Sequence, residues 1–152
     1  MVCTLRTAAH ADVPLLAEMN ARLIQDQGSR NPMGLEQLEE RMVRWLMEGW
    51  RAELFLEDGS VAGYALYRVR ADEYFPARRL VHLRHFFVER GHRRRGLGSE
   101  ALGLLRQGPF PRDAYVVIDV LSGNTDGRLF WEHNGFSAYA TTMHLGHCPG
   151  SP

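Results

Sequence analysis

A glycine-rich turn flanked by arginines carries the clearest chemistry in the sequence. An apolar run ending at Val88 leads into Gly96 and Gly98, and a helical spacing of apolar residues follows. Glycines let main-chain N–H groups approach a ligand closely, and a helix start adds unpaired N–H donors with the positive end of its dipole. Guanidinium groups that suit phosphate oxygens surround the turn, at Arg90, Arg93, Arg94 and Arg95. The segment therefore predicts a site for a diphosphate-like anion.

Two alternatives compete with that interpretation. A G-x-G turn often does no more than end a loop, and clustered arginines are often only solvated. The dinucleotide fingerprint G-x-G-x-x-G is incomplete, because residue 101 is Ala and no acid lies where a ribose would need one. The turn by itself leaves the ligand and the ordinary loop about equally well supported.

The charge composition excludes several classes of function. All 18 basic residues are arginine and lysine is absent, which removes Schiff-base chemistry and the lysine-dependent phosphate loop. The 18 acidic residues balance them, so no net charge points to nucleic acid or a membrane surface. We therefore expect neither as a partner.

Cysteine usage and the first residues favour a reduced, cytoplasmic protein. Cys3 and Cys148 lie at opposite ends without a C-x-x-C pair, and residues 1–6 lack the pattern of a secretory signal. His144, His147 and Cys148 could suggest a metal site, but the adjacent Pro149-Gly-Ser-Pro152 is typical of a frayed tail. No bound metal is expected.

The secondary-structure elements that must position the turn are predicted from hydrophobic periodicity and from residues that end helices and strands. An apolar–polar alternation, two helical patterns and a hairpin signal at Asp58-Gly59 come before it. We predict strands at 2–7, 52–57, 61–69, 80–89, 114–121 and 136–145, and helices at about 12–28, 35–49, 97–106 and 125–133. The order β-α-α-β-β-β-α-β-α-β over residues 1–152 predicts one α/β (α+β) domain, with a mixed sheet and helices on both faces.

Two motifs in that framework resemble a known family. Arg93-x-x-Gly96-x-Gly98, five residues after Val88, resembles the acyl-CoA-binding motif R/Q-x-x-G-x-G/A of the GNAT superfamily of N-acetyltransferases. Asn124-x-x-Gly127-x-x-Phe130-Trp131-Glu132-His133-Asn134-Gly135-Phe136 is similar to that family's N-x-x-A-x-x-F-Y-E-x-x-G-F. The predicted element order is also the family's order, so the resemblance implies a mostly antiparallel central sheet.

The resemblance implies acetyl-CoA as co-substrate and a V-shaped cleft between the strands ending at Val88 and Leu121. Main-chain groups of Phe86 and Val88 would pair with the pantetheine arm, the N–H groups of residues 94–99 would hold the pyrophosphate, and Asn124 would contact the lower pantetheine. The implied acyl-CoA-binding residues are Phe86, Val88, Arg93, Arg94, Arg95, Gly96, Gly98, Ser99 and Asn124.

The catalytic groups are less closely specified. His82 lies six residues before Val88, where several family members place a base, and strand parity puts it on one face with Arg84, Phe86 and Val88. A histidine titrates in the useful range, although a packed strand histidine is the alternative. Trp131 stands at the family's tyrosine position, and an indole N–H cannot act as an acid at neutral pH. We expect Trp131 to wall the acyl pocket, with Tyr139, water or unassisted thiolate departure completing the reaction.

The sequence thus predicts an N-acetyltransferase that moves an acetyl group from acetyl-CoA to a primary amine of a small molecule or peptide, by direct attack in a ternary complex. The alternative is a non-catalytic acyl-CoA-binding sensor or regulatory module. Glu39, Glu40, Asp72 and Glu73 flank the predicted acceptor side and could attract a cationic amine, although solvated surface charges are the more common case. The resemblance also makes a homodimer plausible.

Overall fold

The computed structural model describes residues 2–146 and 149, which form four helices around one five-stranded sheet. The strands are β1 (Cys3–Thr7), β2 (Arg51–Glu57), β3 (Ser60–Ala71), β4 (Arg79–Val88) and β5 (Tyr115–Ile118). The helices are α1 (Val13–Gln27), α2 (Leu35–Met47), α3 (Leu97–Gln107) and α4 (Thr125–His133). Short 3₁₀ turns at His10–Asp12 and Arg90–His92 precede α1 and α3.

The sheet follows the chain order β1-β2-β3-β4-β5. Neighbouring strands are antiparallel from β1 to β4, and only the β4–β5 pair is parallel. The β2–β3 hairpin turns at Asp58 and Gly59, both with positive φ, as a tight two-residue hairpin requires. The mixed, mostly antiparallel sheet predicted from the sequence is confirmed.

Helices cover both faces of this sheet, also as predicted. The apolar stripes of α1 and α2 bury one face, through a cluster that includes Leu16, Met19, Met42, Trp45 and Trp50. The other face is buried by α3 and α4, through a cluster that includes Leu97, Ala101, Leu105 and Trp131. None of the helices in the described part of the chain is long and apolar enough to cross a bilayer.

The predicted sixth strand at 136–145 is wrong. Residues 137–145 form no strand or helix and are exposed, and their apolar residues Tyr139, Met143 and Leu145 face solvent. Apolar residues occur both at even positions (Ala138, Ala140) and at odd positions (Tyr139, Met143, Leu145), so the local pattern selects neither face for burial against the sheet. β5 therefore remains an edge strand, and at four residues it is also shorter than predicted.

A β-bulge in β4 overturns the predicted side-chain parity. Leu66 and Tyr67 of β3 are consecutive, but their partners on β4 are His85 and Leu83, which leaves Arg84 as an extra residue. A bulge residue shifts the alternation of faces by one position. Consequently His82 lies on the α1/α2 face, while Phe86 and Val88 pack on the α3/α4 face.

Candidate active site

A fork in the sheet opens between β4 and β5. The two strands pair only from Leu80 to Leu83 and from Tyr115 to Ile118, so the last residues of β4 have no neighbour on that side. The Glu89 N–H donates to a β3 carbonyl at 2.7 Å. Because main-chain groups of successive strand residues point to alternate sides, those of Phe86 and Val88 face the fork. Apart from the Val88 carbonyl, which accepts a hydrogen bond from Arg93 at 2.6 Å, this exposed strand edge is free to pair with an extended ligand.

The start of α3 presents a row of main-chain N–H donors beside the fork. The N–H groups of residues 94–99 donate no hydrogen bond within the described chain. Arg94 and Gly96 both have positive φ, which turns the chain tightly into the helix. Consecutive free N–H groups at a helix start, in such a turn, form an anion-binding concavity. The predicted glycine-rich turn therefore has the geometry that phosphate binding needs.

Most arginine side chains of this turn serve a different purpose from the predicted one. Arg90 donates to Asp26 of α1 at 2.7 Å, and Arg93 donates both to Asp26 and, at 2.6 Å, to the Val88 carbonyl. Burial alone would raise the pKa of Asp26, but these hydrogen bonds outweigh it and hold the pKa below its ordinary value. The guanidiniums thus clamp the turn to α1, and we call these contacts the Asp26 clamp.

A second carboxylate holds the other end of the turn. Arg95 donates to buried Glu57 at 2.7 Å, and the His92 Nδ1 lies 2.9 Å from the same oxygen. Arg94 is the one arginine of the four with no carboxylate partner in residues 2–146, and its side chain is exposed. Arg94 therefore has the guanidinium best placed to meet a phosphate from outside.

Aromatic rings fill the space between the fork and the start of α4. Phe86 contacts Phe130 and Trp131 with ring centroids 5.5 and 5.1 Å apart, and Trp131 also contacts Phe136. A Cβ at Gly98 would lie 2.9 Å from the Phe130 ring, so this close approach of α3 and α4 requires glycine. Trp131 is buried, and its indole N–H donates no hydrogen bond within the described chain.

Asn124 stands at the first turn of α4. Its side-chain oxygen accepts a hydrogen bond from the Gly127 N–H at 3.0 Å, which caps the helix. Its amide NH₂ makes no hydrogen bond in the part of the chain that the structure describes, and the side chain is half-buried. The predicted ligand contact can therefore come only from that NH₂ group.

His82 lies at the base of the fork on the α1/α2 face. Its Nε2 is 3.7 Å from the Asp119 carboxylate, and its ring meets Trp50 edge-on with centroids 5.3 Å apart. Burial, helped by Arg84 and Arg70, lowers the His82 pKa, while Asp119 opposes the shift. A neutral imidazole at neutral pH follows, and a neutral imidazole can accept a proton.

The neighbouring His85 is held in a structural role. Its Nδ1 lies 2.9 Å from the Tyr64 hydroxyl, and its ring packs edge-on against Trp45. Burial lowers the His85 pKa to about 3, helped by Arg41 and Arg84, so the ring stays neutral. The bulge places both histidines on one face, contrary to the parity expected from their spacing.

Several residues at the fork escaped the sequence analysis. Asp119 directly follows β5, and an acid at the end of a strand parallel to β4 was a usable signal for it. Trp50 contacts His82 and is stacked by Arg84, and this meeting depends on tertiary packing and the bulge, which no local pattern indicates. Asp72, by contrast, is not available to attract an amine, because it is buried and paired with Arg78 at 2.9 Å.

No group of three or more histidine, cysteine or acidic side chains that could hold a metal occurs among residues 2–146 and 149. The metal question raised by the sequence concerned His144, His147 and Cys148. His147 and Cys148 lie outside the described residues.

Comparisons with known proteins agree with this geometry. The sequence pattern of the acetyltransferase (GNAT) family matches residues 21–136, whereas none of the curated proteins compared with the chain matches it. A ribosomal-protein-alanine N-acetyltransferase of Brucella melitensis is similar in structure, with a TM-score of 0.76, 16% identity, and coverage of 96% of this chain and 100% of that one.

Two further solved structures are similar over almost their whole length. A predicted acetyltransferase of Clostridium acetobutylicum, solved with acetyl-CoA, has a TM-score of 0.73 and 16% identity, covering 95% of this chain and 96% of its own. The aminoglycoside N-acetyltransferase AAC(6')-Iy, solved with CoA, has a TM-score of 0.73 and 14% identity, covering 96% and 95%. At these identities the structures establish the fold, and the sequence match establishes the family.

Proposed function

Because the chain belongs to the acetyltransferase (GNAT) family, whose members transfer acyl groups from acetyl-CoA, we propose that it acetylates a primary amine. The amine belongs to a small molecule or a peptide, and it attacks directly in a ternary complex. Residues 1–152 act as one domain in this proposal. The observation that carries it is the fork, which has free N–H donors and a free strand edge on one side and His82 on the other.

The residues around the fork fit an acyl-CoA on chemical grounds. Six unpaired N–H groups at 94–99 suit a pyrophosphate, helped by the main chain at Gly96 and Gly98, by the Ser99 hydroxyl and by Arg94. Arg93 and Arg95 act through the clamps that shape the turn. Phe86 and Val88 offer main-chain groups to an amide-bearing arm, and the Asn124 NH₂ offers one further donor. Acetyl-CoA supplies the thioester that is to be cleaved.

His82 prepares the acceptor in this scheme. An alkylammonium has a pKa of about 10, so it must lose a proton before its nitrogen can attack a carbonyl carbon. The neutral His82 imidazole takes that proton, and the exposed Asp119 carboxylate beside it relays the proton to solvent. The new C–N bond forms as the C–S bond breaks, and the electron pair leaves with sulfur. The nitrogen then releases its second proton to water, which can pass a proton to the thiolate.

Trp131 shapes the site without moving a proton. Its buried ring packs against Phe86 and Phe130, which supports a role as a wall of the acyl pocket. A thiol pKa near 8.5 makes the thiolate a tolerable leaving group without an acid. Tyr139, the other proton donor considered, lies in the exposed segment after α4. Water is therefore the proposed source of the final proton.

Binding and thiol release together test the proposal. Purified protein should be stabilised against heat by millimolar acetyl-CoA, and a panel of primary amines should release CoA thiol in a time-dependent way. Stabilisation without thiol release from any amine would favour the alternative, a non-catalytic acyl-CoA sensor. No stabilisation at all would contradict both functions.

We also propose that two copies associate in solution and that the protein acts in the cytoplasm. The open β5 edge and the exposed apolar side chains of residues 137–145 support association, since such surfaces are usually covered. Cys3, a free buried thiol in the described chain, fits a reducing compartment. Light scattering tests association: a dimer that becomes monomeric when residues 137–152 are deleted supports it, and a monomeric full-length chain overturns it.

A further inference from the structure

Five side chains on the α1/α2 face stack alternately as arginine and tryptophan. We call them the arginine–tryptophan ladder: Arg41, Trp45, Arg84, Trp50 and Arg68. The Arg41 and Arg84 guanidinium carbons lie 4.3 and 4.6 Å from the centre of the Trp45 ring. Those of Arg84 and Arg68 lie 5.5 and 4.7 Å from the centre of the Trp50 ring. Each ring is therefore approached by two cations.

None of the ladder arginines has a carboxylate partner in the described part of the chain. Arg41 donates to the Asn20 amide oxygen, and Arg84 and Arg68 donate no side-chain hydrogen bond there. The arginines on the other side of the fork behave differently, since Arg93 and Arg95 each meet a carboxylate. The ladder thus gathers three positive charges without an ion pair among the described residues, and Asp119 is the nearby carboxylate that acts on Arg84 from a distance.

Three neighbouring cations raise the electrostatic energy of this face. Burial lowers the pKa of Arg41 and of Arg84, a neighbouring arginine lowers each further, and Asp119 opposes the shift of Arg84. Acidic residues are available on α2 at Glu36, Glu39 and Glu40, yet none pairs with the ladder. An anion that entered here would relieve this repulsion.

The ladder adjoins His82 through a shared ring. Trp50 contacts the His82 imidazole edge-on and is stacked by Arg84 and Arg68. His82, Arg84 and Arg68 therefore border the same indole, on the face where the bulge places the proposed base. A molecule whose amine reaches His82 would have its neighbouring atoms over Arg84 and Arg68.

We propose that the acceptor carries an anionic oxygen group, a carboxylate or a phosphate, close to its amine, and that Arg84 and Arg68 bind this group. The inference rests on the proposed function and names its substrate class. Indole rings hold the guanidiniums in place, so little side-chain freedom is lost when they bind two oxygens at once. An amino acid or an aminoalkyl phosphate has this arrangement, whereas a simple polyamine does not.

Paired amines that differ only in the anionic group test the inference. Phenylalanine is compared with phenethylamine for carboxylate, and O-phosphoethanolamine with ethanolamine for phosphate, by thiol release from acetyl-CoA. We expect kcat/KM to be at least about 10-fold higher for the anionic member of one pair, since hydrogen bonds between charged groups are the stronger kind. The pair that shows this difference in kcat/KM identifies the anionic group as a carboxylate or a phosphate.

Variants of Arg84 and Arg68 assign the effect to the two guanidiniums that stack on Trp50. Arg84→Met and Arg68→Met should remove the preference by raising KM for the anionic amine about 10-fold or more, with KM for the neutral amine almost unchanged. Arg44→Met is the matched control, since Arg44 is an exposed α2 arginine outside the ladder. Heat denaturation of each variant establishes that it is folded.

A binding measurement separates this inference from the proposed function. Two of the three tryptophans belong to the ladder, so intrinsic fluorescence should respond to the product N-acetylphenylalanine, with CoA present, more strongly than to N-acetylphenethylamine. Absence of thiol release from all amines would contradict the proposed function, and the fluorescence titration would still decide the anion site. The inference would be overturned if kcat/KM were equal within both pairs of amines. It would also be overturned if Arg84→Met raised KM equally for the anionic and the neutral amine.

Discussion

Replacing Asp26 with asparagine is the sharpest perturbation of the turn that precedes α3. Asp26 lies on α1 and accepts hydrogen bonds from Arg90 and Arg93, which are more than 60 residues away in sequence. Asparagine has the same shape and keeps one acceptor oxygen, but it carries no charge. The variant therefore removes the charge of the Asp26 clamp, while Arg22 of α1 still pairs with Glu89 at 2.8 Å and the packing of α1 stays intact.

The size of the effect follows from the exposure of the two partners. Arg90 is 79% exposed, so solvent screens its pair with Asp26, and that pair contributes only about 0–1 kcal/mol. Arg93 is 36% exposed and also donates to the Val88 carbonyl, so its hydrogen bond to the charged Asp26 contributes about 1.5–3 kcal/mol. Since asparagine retains a neutral acceptor, we expect Asp26→Asn to lower the free energy of unfolding by about 1–2 kcal/mol. For a chain of this length that corresponds to a Tm lower by about 2–8 °C.

The pH dependence has a definite sign. The clamp holds the Asp26 pKa in the folded chain below its unfolded value of about 3.9. A carboxyl group with a depressed folded pKa adds stability above the unfolded pKa and loses it as the pH falls through the folded pKa. The difference between wild type and Asp26→Asn should therefore be constant from pH 8 to about pH 5 and should shrink below about pH 4.

Urea unfolding at several pH values measures this difference, and acetyl-CoA titration measures its effect on the turn. Asp113→Asn is the matched control, because Asp113 is exposed and makes no side-chain hydrogen bond in the described chain. We expect acetyl-CoA affinity to fall about 10-fold in Asp26→Asn only, if the charge-assisted hydrogen bonds shape the turn. Equal stability of Asp26→Asn and wild type at pH 7, or a difference that persists undiminished at pH 3.5, would refute the reasoning.

Three further predictions concern single residues. His82→Ala should lower kcat about 100-fold or more, with acetyl-CoA affinity unchanged. Burial and nearby arginines lower the His82 pKa, so the acidic limb of the kcat/KM profile should have its midpoint below pH 6.5. Asp119→Asn should move that midpoint to still lower pH, because Asp119 raises the His82 pKa. Gly98→Ala should destabilise the fold by about 1–3 kcal/mol in urea unfolding, because its Cβ would lie 2.9 Å from a ring carbon of α4. Tyr64→Phe should cost about 1–3 kcal/mol in the same assay, since it leaves a buried imidazole nitrogen without its partner.

Each of these predictions has its own contrary result. Unchanged kcat in His82→Ala removes the imidazole as the base, and a rise that moves to higher pH in Asp119→Asn contradicts the assigned electrostatics. Gly103→Ala is the control for Gly98, because its Cβ meets nothing within 4 Å and alanine should stabilise that helix position by about 0.5–1 kcal/mol. Equal stability of Gly98→Ala and Gly103→Ala, or of Tyr64→Phe and wild type, would show that the contacts carry little energy.

The sequence determined the features that depend on neighbouring residues. Helix α4 begins and ends where predicted, because Asn124 caps it and its helical spacing stops at the following glycine. The β2–β3 turn was predicted at Asp58-Gly59, because few residue pairs accept two positive φ values. The turn before α3 was likewise predicted, since glycine spacing and a following apolar helix are local properties. The order of elements through α4 follows from these local signals.

Tertiary structure alone decided which groups meet at the site. The bulge at Arg84 places His82 on the face opposite Phe86. The register of β4 depends on its pairing with β3, and no sequence pattern within β4 predicts the bulge. The partner of Arg93 proved to be Asp26, 67 residues away, because any of 18 arginines could have met any of 18 acids and only the packing of α1 selects one pair. Residues 137–145 form no strand for a related reason: their apolar residues allow a strand, but pairing with β5 is a contact between distant elements that the local pattern does not specify. Local periodicity determines whether a segment forms a helix or a strand, whereas contacts between distant segments determine which elements lie side by side. The chemistry at the fork depends on the second kind of information.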